Sequence, residues 1–493
     1  MKAAMQQQSE PTRDQNPLVR FLPRAWIERP SKMAGALIAL IVLVLIFTLP
    51  VPAGISREAF RALLMLVVGM ALWLPEVFHP SVSSLLLVGI LPLTGVADLD
   101  QAASGLGDKI IWLLLGVSLL TAALQTSGLD RRLAYQVIRR SGGTAAGMLL
   151  AVILTGLLFA FIIPNSLART ALIVPLCSGI LSTMNIKPLE SNLGRSLMIA
   201  ASMTSLLTSA AVITGASATI YSAGFFESVL GFHWTYLDWL ITMFPGVLID
   251  CLLLWLILLR LFPPEVENIK GGLQFIDEEL RKLGRMNAQE NKLVWIIGAL
   301  FILLLFGDRL GIPRETAFLL IGLCLFLPGI ELLEWSKASS KVNWGTLIFF
   351  AASLTLSKTI VDTGAADWLA AQLVRIVAGF PVWLVTVSVI VMFMILRFAF
   401  TNMTSVLITL LPVIVSLANS MGLNPVWLGM VAVVASALCL FTPMQSASNF
   451  TSYTTGYYEI ADFGKAGLLV ALAVTVVTLV VAMTYWPLVG LHP

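Results

Sequence analysis

Cysteine and histidine are nearly missing from this sequence. Its four cysteines (Cys177, Cys251, Cys324 and Cys439) sit singly inside apolar runs. That spacing gives neither a disulfide framework nor a thiolate metal site and leaves packing as their role. The three histidines, His79, His233 and His492, are scattered near the ends of apolar stretches. No HExxH, GxSxG, phosphate-loop or dinucleotide-binding pattern occurs, so enzyme chemistry has no carrier here. Charge is scarce as well, at 12% of 493 residues, about half the share of an ordinary globular protein. The net charge of +3 comes without a Lys/Arg run interleaved with aromatics, so no nucleic-acid partner is expected.

What fills the chain is hydrophobic residues, 58% of the total. They fall in windows of about 20 residues, each long enough at about 1.5 Å per residue to cross roughly 30 Å of hydrocarbon. The expected fold is therefore an all-α polytopic membrane protein. Full spans are expected near 33–52, 60–78, 81–97, 110–127, 197–222, 239–262, 292–306, 315–333, 345–362, 425–441 and 465–487, about eleven in all. Two further apolar stretches, 148–181 and 382–418, are interrupted at Pro164-Asn165-Ser166 and at Thr401-Asn402-Met403-Thr404, and read as re-entrant hairpins.

Lys and Arg fix the expected orientation. Lys2, Arg13, Arg20, Arg24, Arg29 and Lys32 precede the first span. Arg131, Arg132, Arg139 and Arg140 follow the fourth; Lys270, Arg281, Lys282, Arg285 and Lys292 lie between the sixth and seventh. All three groups reach one side if the N-terminus is cytoplasmic and the C-terminus external, in a bacterial inner membrane. The first span is too long for a signal-peptide core, so no cleaved signal is expected. The resulting division is a cytoplasmic segment 1–32, scaffold helices 33–109, a first repeat 110–262, a connector 263–292, scaffold helices 293–344 and a second repeat 345–493.

The repeats show in the residues. Gly128-Leu129-Asp130 recurs as Gly364-Ala365-Ala366-Asp367, and Asn165 with Pro175 recurs as Asn402 with Pro412, offsets of 364 − 128 = 236 and 402 − 165 = 237. Gly224-Phe225-Phe226-Glu227 is echoed by Gly456-Tyr457-Tyr458-Glu459. The expected topology gives the two copies opposite orientation, an arrangement typical of secondary transporters that bind at the repeat interface.

Non-helical backbone at membrane depth is tolerated where it lines a cavity or is buried in protein. Besides the hairpin tips, breaks are expected at Thr214–Thr219 and Thr442–Asn449. Unwound carbonyls with Ser, Thr and Asn oxygens can replace the hydration shell of Na+, while helix N-termini offer N–H groups to an anion. The expected substrate site comprises Asn165, Ser166, Arg169, Thr219, Thr401, Asn402, Thr404, Ser448 and Asn449. The expected Na+ ligands are Asn165, Ser166, Ser217, Thr401, Asn402 and Ser446. Arg169 and Arg397 stand in otherwise apolar hairpins, where a charge is costly and usually faces a polar cavity. Snorkelling towards the interface is their alternative.

At these residues the chain resembles the divalent anion/sodium symporter family, carriers of succinate, malate, citrate or sulfate. The likeness includes Trp73-Leu74-Pro75-Glu76, Leu91-Pro92-Leu93-Thr94-Gly95, Gly128-Leu129-Asp130, the Asn-bearing tips and Gly456-Tyr457-Tyr458-Glu459. The resemblance implies a homodimer with scaffold and transport domains and an elevator-like movement. Family tips usually read Ser-Asn-Thr; here they read Pro164-Asn165-Ser166 and Thr401-Asn402-Met403. Ala168-Arg169 also matches a branch of plastid translocators and bacterial exchangers, in whose register Ser166 takes the Asn position, and both registers stay open. The expectation is Na+-coupled uptake of a di- or tricarboxylate. Its alternatives are Na+-independent exchange, a sulfate or other oxyanion carrier, a channel and, from another class, a non-transporting sensor or scaffold.

Overall fold

A computed structural model describes residues 30–265, 269–400 and 402–493. Thr401, most of the N-terminal segment with Lys2, Arg13, Arg20, Arg24 and Arg29, and residues 266–268 of the connector lie outside the described residues. All regular structure among the described residues is helical. In chain order the helices are α1 (Pro30–Thr48), α2 (Arg57–Trp73), α3 (Pro80–Ile90), α4 (Leu99–Ala103), α5 (Lys109–Ser127), α6 (Leu129–Arg139), α7 (Ala145–Ala160) and α8 (Ser166–Thr183). Next come α9 (Asn192–Leu207), α10 (Ser217–Leu230), α11 (Tyr236–Leu261), α12 (Lys270–Leu283), α13 (Ala288–Phe306), α14 (Arg314–Cys324) and α15 (Trp335–Lys341). The chain ends with α16 (Trp344–Asp362), α17 (Ala365–Val377), α18 (Val382–Leu396), α19 (Met403–Ser420), α20 (Pro425–Ser436), α21 (Ala447–Tyr453), α22 (Ile460–Val480) and α23 (Trp486–Leu488).

Eight helical stretches among the described residues are long and apolar enough to cross a membrane. The stretches expected at 60–78, 81–97, 315–333 and 425–441 form shorter α-helices, α2, α3, α14 and α20. Pro75 follows the end of α2, and Pro92 sits in the 3-10 turn that finishes α3, since proline removes a donor and crowds the preceding turn. The expected span 197–222 is two helices, α9 and α10, with 3-10 turns at Thr208–Ala210 and Ile213–Gly215 between them.

The internal repeat is a repeat of elements. The series α5–α6–α7–α8–α9–α10 returns as α16–α17–α18–α19–α20–α21. Gly128 and Gly364 cap α6 and α17 in the same left-handed conformation, φ 76° for each, a backbone state that glycine adopts without a Cβ penalty. The 3-10 turn at Ile213–Gly215 returns at Pro443–Gln445, 443 − 213 = 230 residues on. The third pair of landmarks diverges in conformation: Gly224 lies inside α10, whereas Gly456 has φ 76° just after α21, which is half as long. The copies interlock, with α21 packed on α8 and α9, and α10 on α16 and α19.

Small residues set the close approaches. A Cβ at Gly116 of α5 would stand 2.5 Å from the backbone of Phe318 in α14, and one at Gly322 would stand 3.2 Å from the Cα of Gly116. Gly116→Ala therefore forces backbone apart, with an overpacking cost of about 1–3 kcal/mol. It will lower the melting temperature in detergent more than Gly322→Ala does; an equal or reversed order would contradict this helix crossing. On the connector side, Arg132 of α6 holds Glu290 of α13 through two bonds of 2.7 and 3.0 Å and donates to Gly284 O at 2.8 Å.

Candidate functional site

The two tips are built alike because an Asn side chain is a good N-cap. Asn165 Oδ1 accepts from Ala168 N at 3.1 Å and starts α8. Asn402 Oδ1 accepts from Thr404 N at 2.8 Å and starts α19. Ser448 Oγ donates to Ser166 Oγ at 3.2 Å and joins the second break to the first tip.

Both tips and both breaks open on one cavity of about 350 Å³. Asn165, Ser166, Ser217, Asn402, Thr404, Ser446 and Ser448 all line it. The N-cap residues of six helices stand in its wall: His79 (α3), Asn165 (α8), Ala216 (α10), Asn343 (α16), Asn402 (α19) and Ser446 (the short α21). Each helix start carries unsatisfied N–H groups and a partial positive charge of roughly half a unit. Arg397 adds a full positive charge to the wall and Glu76 a negative one. Helix starts and an arginine together give a wall whose potential suits an anion.

Three of the expected residues stand behind the wall. Thr219 Oγ1 accepts from Ala216 N at 3.0 Å and donates to Ala216 O at 2.8 Å, closing the start of α10. Asn449 Nδ2 donates to Cys439 O at 2.7 Å and braces the second break. Arg169 is fully buried; its guanidinium donates to Ile163 O (2.9 Å), Gly215 O (2.6 Å), Ser209 Oγ (2.7 Å) and Ser205 O.

The two arginines occupy unrelated sequence positions yet make matching bonds. Arg169 ties the first tip at Ile163 O to the first 3-10 turn at Gly215 O. Arg397 ties the second tip at Phe400 O (2.8 Å) to the second turn at Gln445 O (3.4 Å). The acceptors are repeat mates, 400 − 163 = 237 and 445 − 215 = 230 residues apart. Each hairpin tip is thus fastened to its own break by one arginine, but only Arg397 also forms part of the cavity wall.

Sequence reading missed the far side of the cavity. Glu76, His79, Asn343, Thr346 and Phe349 line it from α3, α16 and the turn before α3. Glu76 holds φ 49°, and Asn343 Oδ1 accepts from Thr346 N at 3.1 Å. The quoted Trp73-Leu74-Pro75-Glu76 run lay next to them; His79 and Asn343 carried no local signal beyond their N-cap character.

Among relatives, the chain is 26% identical to the sodium-dependent dicarboxylate transporter SdcS of Staphylococcus saprophyticus over 94% of each chain. It is 23% identical to the L-tartrate/succinate antiporter of Escherichia coli, covering 91% of this chain and 97% of that one. Two solved transporter structures share the fold: YdaH of Alcanivorax borkumensis, at a TM-score of 0.51 and 15% identity over 94% of this chain and 100% of that one, and MtrF of Neisseria gonorrhoeae, at 0.53 and 13% over 93% and 95%. The model of the sodium:sulfate symporter transmembrane region matches residues 30–492. A helical membrane fold, a doubled set of capped tips and breaks, and a family match along nearly the whole chain agree, and the protein belongs to the sodium:sulfate symporter family of membrane transporters.

Proposed function

We propose that this protein imports a small di- or tricarboxylate of the succinate, malate or citrate class. The observation that carries the reading is the ring of six helix N-caps around one cavity, with Arg397 in its wall. A doubly charged carboxylate meets N–H donors from both repeats at once, and its desolvation is offset by partial charges held in fixed positions. A cavity of about 350 Å³ lies in the ordinary range for a small-molecule site.

Na+ is the coupling ion in this reading. Asn165, Ser166, Ser217, Asn402 and Ser446 supply neutral oxygens at the tips and breaks, of the kind that coordinates Na+ beside unwound backbone. The sodium-dependent relative supports it. Exchange is the second reading, favoured by the antiporter relative. The elements 145–183 and 382–420 act as re-entrant hairpins of inverted repeats, and an elevator-like movement in a homodimer carries the site across the bacterial inner membrane. The N-terminus is cytoplasmic and the C-terminus external.

The deciding experiment is uptake of radiolabelled succinate, malate and citrate into proteoliposomes, with and without an inward Na+ gradient. Accumulation that requires Na+ supports the symporter. Flux that ignores Na+ but needs internal dicarboxylate replaces symport by exchange, and no carboxylate flux in either condition overturns the substrate class.

A further inference from the structure

A second cavity, of about 20 Å³, lies apart from the substrate cavity, and Asp250 is the one ionisable residue in its lining. Asp250 stands near the middle of α11 on its buried face, 5% exposed, and its Oδ1 has no hydrogen-bond partner. Leu248, Ile249 and Leu252 point outward from the same stretch, so Asp250 faces the protein interior. An ionisable group at membrane depth is expensive to keep there unless it has work to do.

Its surroundings favour positive charge. Leu207, the last residue of α9, and Ala437, the C-cap of α20, both line the small cavity. Helix C-termini carry partial negative charge, so the carboxylate shares this space with two further negative ends and no cation. The rest of the wall is apolar apart from the Thr478 hydroxyl and the Trp486 indole, whose N–H is taken by Thr242 O. Beside the Asp250 carboxylate the only side-chain oxygen in the lining is that of Thr478, too few for a metal ion held by side chains, whereas a proton needs only one. The volume is enough for one water molecule.

The charged groups on neighbouring elements are engaged elsewhere, except Lys465, which stands nine residues before Val474, roughly 13 Å along α22. The helices packed on α11 are α22, α9, α7 and α13, together with the 3-10 turns 208–210 and 213–215. Arg195 of α9 pairs with Asp462 of α22 at 3.3 Å, and Lys465 follows within the next turn. Glu290 of α13 pairs with Arg132, and Lys292 donates to Gly329 O. The segment α7 and the two turns contain no titratable residue. The helix α11 itself carries Tyr236 and Asp238 at its start, Arg260 at its end and the buried Cys251 beside Asp250. Tyr485, beyond α22, donates to Ile241 O at 2.9 Å.

We propose that Asp250 is a proton-binding site that couples transport to the proton gradient, a role resting on the transporter reading above. A hydronium ion in the cavity gives its proton to Oδ1, forming the carboxyl O–H bond and leaving water; release reverses the step on the other side of the membrane. The site senses the transport cycle because its walls include the ends of both helices that break beside the substrate cavity. The π-helical turn Val481–Tyr485 in the facing segment, one residue of which lines the small cavity, marks a local irregularity of the kind often found at functional sites.

The test uses the full chain in proteoliposomes at clamped membrane potential. An inward gradient of one pH unit raises the steady-state succinate accumulation of the wild type by about tenfold, as one proton per cycle requires. Asp250→Asn keeps succinate counterflow and loses this response, while Asp250→Glu retains it. In pH-difference infrared spectra of the purified protein, a protonated-carboxyl band titrates in the wild type and is missing in Asp250→Asn. A pH-invariant band, or an unchanged proton response in Asp250→Asn, overturns the proposal. Absence of any wild-type succinate flux counts against the substrate reading instead, and the infrared titration then decides the proton site alone.

Discussion

Asn165→Asp and Asn402→Asp leave the protein folded and stop transport, and this pair separates the two tasks of each side chain. As an N-cap, Asp is as good as Asn, and its charge interacts favourably with the helix start. The capping bonds to Ala168 N and Thr404 N can therefore persist, and the melting temperature will stay within a few degrees of the wild type. The substrate meets a different wall. A carboxylate at the tip faces a dianion, and two unit charges about 4 Å apart at an effective dielectric near 20 repel by about 4 kcal/mol, on the order of a thousandfold in uptake. The alanine variants cost about 1 kcal/mol of capping and lose the bond to a charged ligand, about 1.5–3 kcal/mol. Their uptake falls by about ten- to a hundredfold while the folded yield is kept. Normal initial rates in both aspartate variants, read beside an unchanged melting curve, would remove the tips from the substrate site.

The tips were legible in the sequence because their signal is local. Pro-Asn-Ser and Thr-Asn-Met-Thr interrupt apolar runs, Asn caps helices, and Asn165 and Asn402 do so. The breaks were legible in kind and displaced in place. Reading polar residues as the break put it at 214–219, whereas the 3-10 turns run from Thr208 to Gly215 and α10 begins at Ser217. The same displacement occurs in the second copy, where α20 ends at Ser436 and α21 begins at Ala447. The cause is physical: Thr219 lies inside α10 and closes its start, so it trails the unwound stretch, while Ser446 is the last residue of its unwound stretch and caps α21. The unwound residues include Ala, Val and Ile, which carry no signal. Gly215 is the exception, since a Cβ there would stand 2.2 Å from Ser209 O.

Other features depend on contacts between distant segments, which spacing cannot show. His79 and Asn343 meet at the cavity across more than half the chain. Asp250 is the reverse case: it is the sole acid of the expected span 239–262, legible as an anomaly, yet only the fold shows two helix C-termini beside it.

From sequence, Arg169 is expected in the substrate site and Arg397 only as a second charge in the other hairpin; the cavity wall contains Arg397 and not Arg169, and their variants will behave differently. Arg169 is enclosed and donates to three backbone carbonyls and a hydroxyl. Arg169→Met takes this donor from Ile163 O and Gly215 O, whereas Ser205 O and Ser209 Oγ keep their mutual bond at 2.9 Å; each buried acceptor left unpaired costs about 1–3 kcal/mol. For two acceptors the cost is about 2–6 kcal/mol, which reaches the lower end of the whole stability of a typical protein, about 5–15 kcal/mol, so the yield of folded protein will fall. Arg169→Lys keeps the charge but not the planar fork that spans tip and turn, and will lower the melting temperature while the surviving protein keeps its KM. Arg397 has two backbone acceptors, one at 3.4 Å, and stands in the cavity wall. Its lysine variant can still reach Phe400 O, so the protein folds, but a charge-assisted bond to substrate worth about 1.5–3 kcal/mol is lost and KM rises by about tenfold or more. A lowered melting temperature with unchanged KM in Arg397→Lys would make both arginines tip-to-turn clamps alone, leaving the six helix starts as the main source of positive potential for the anion.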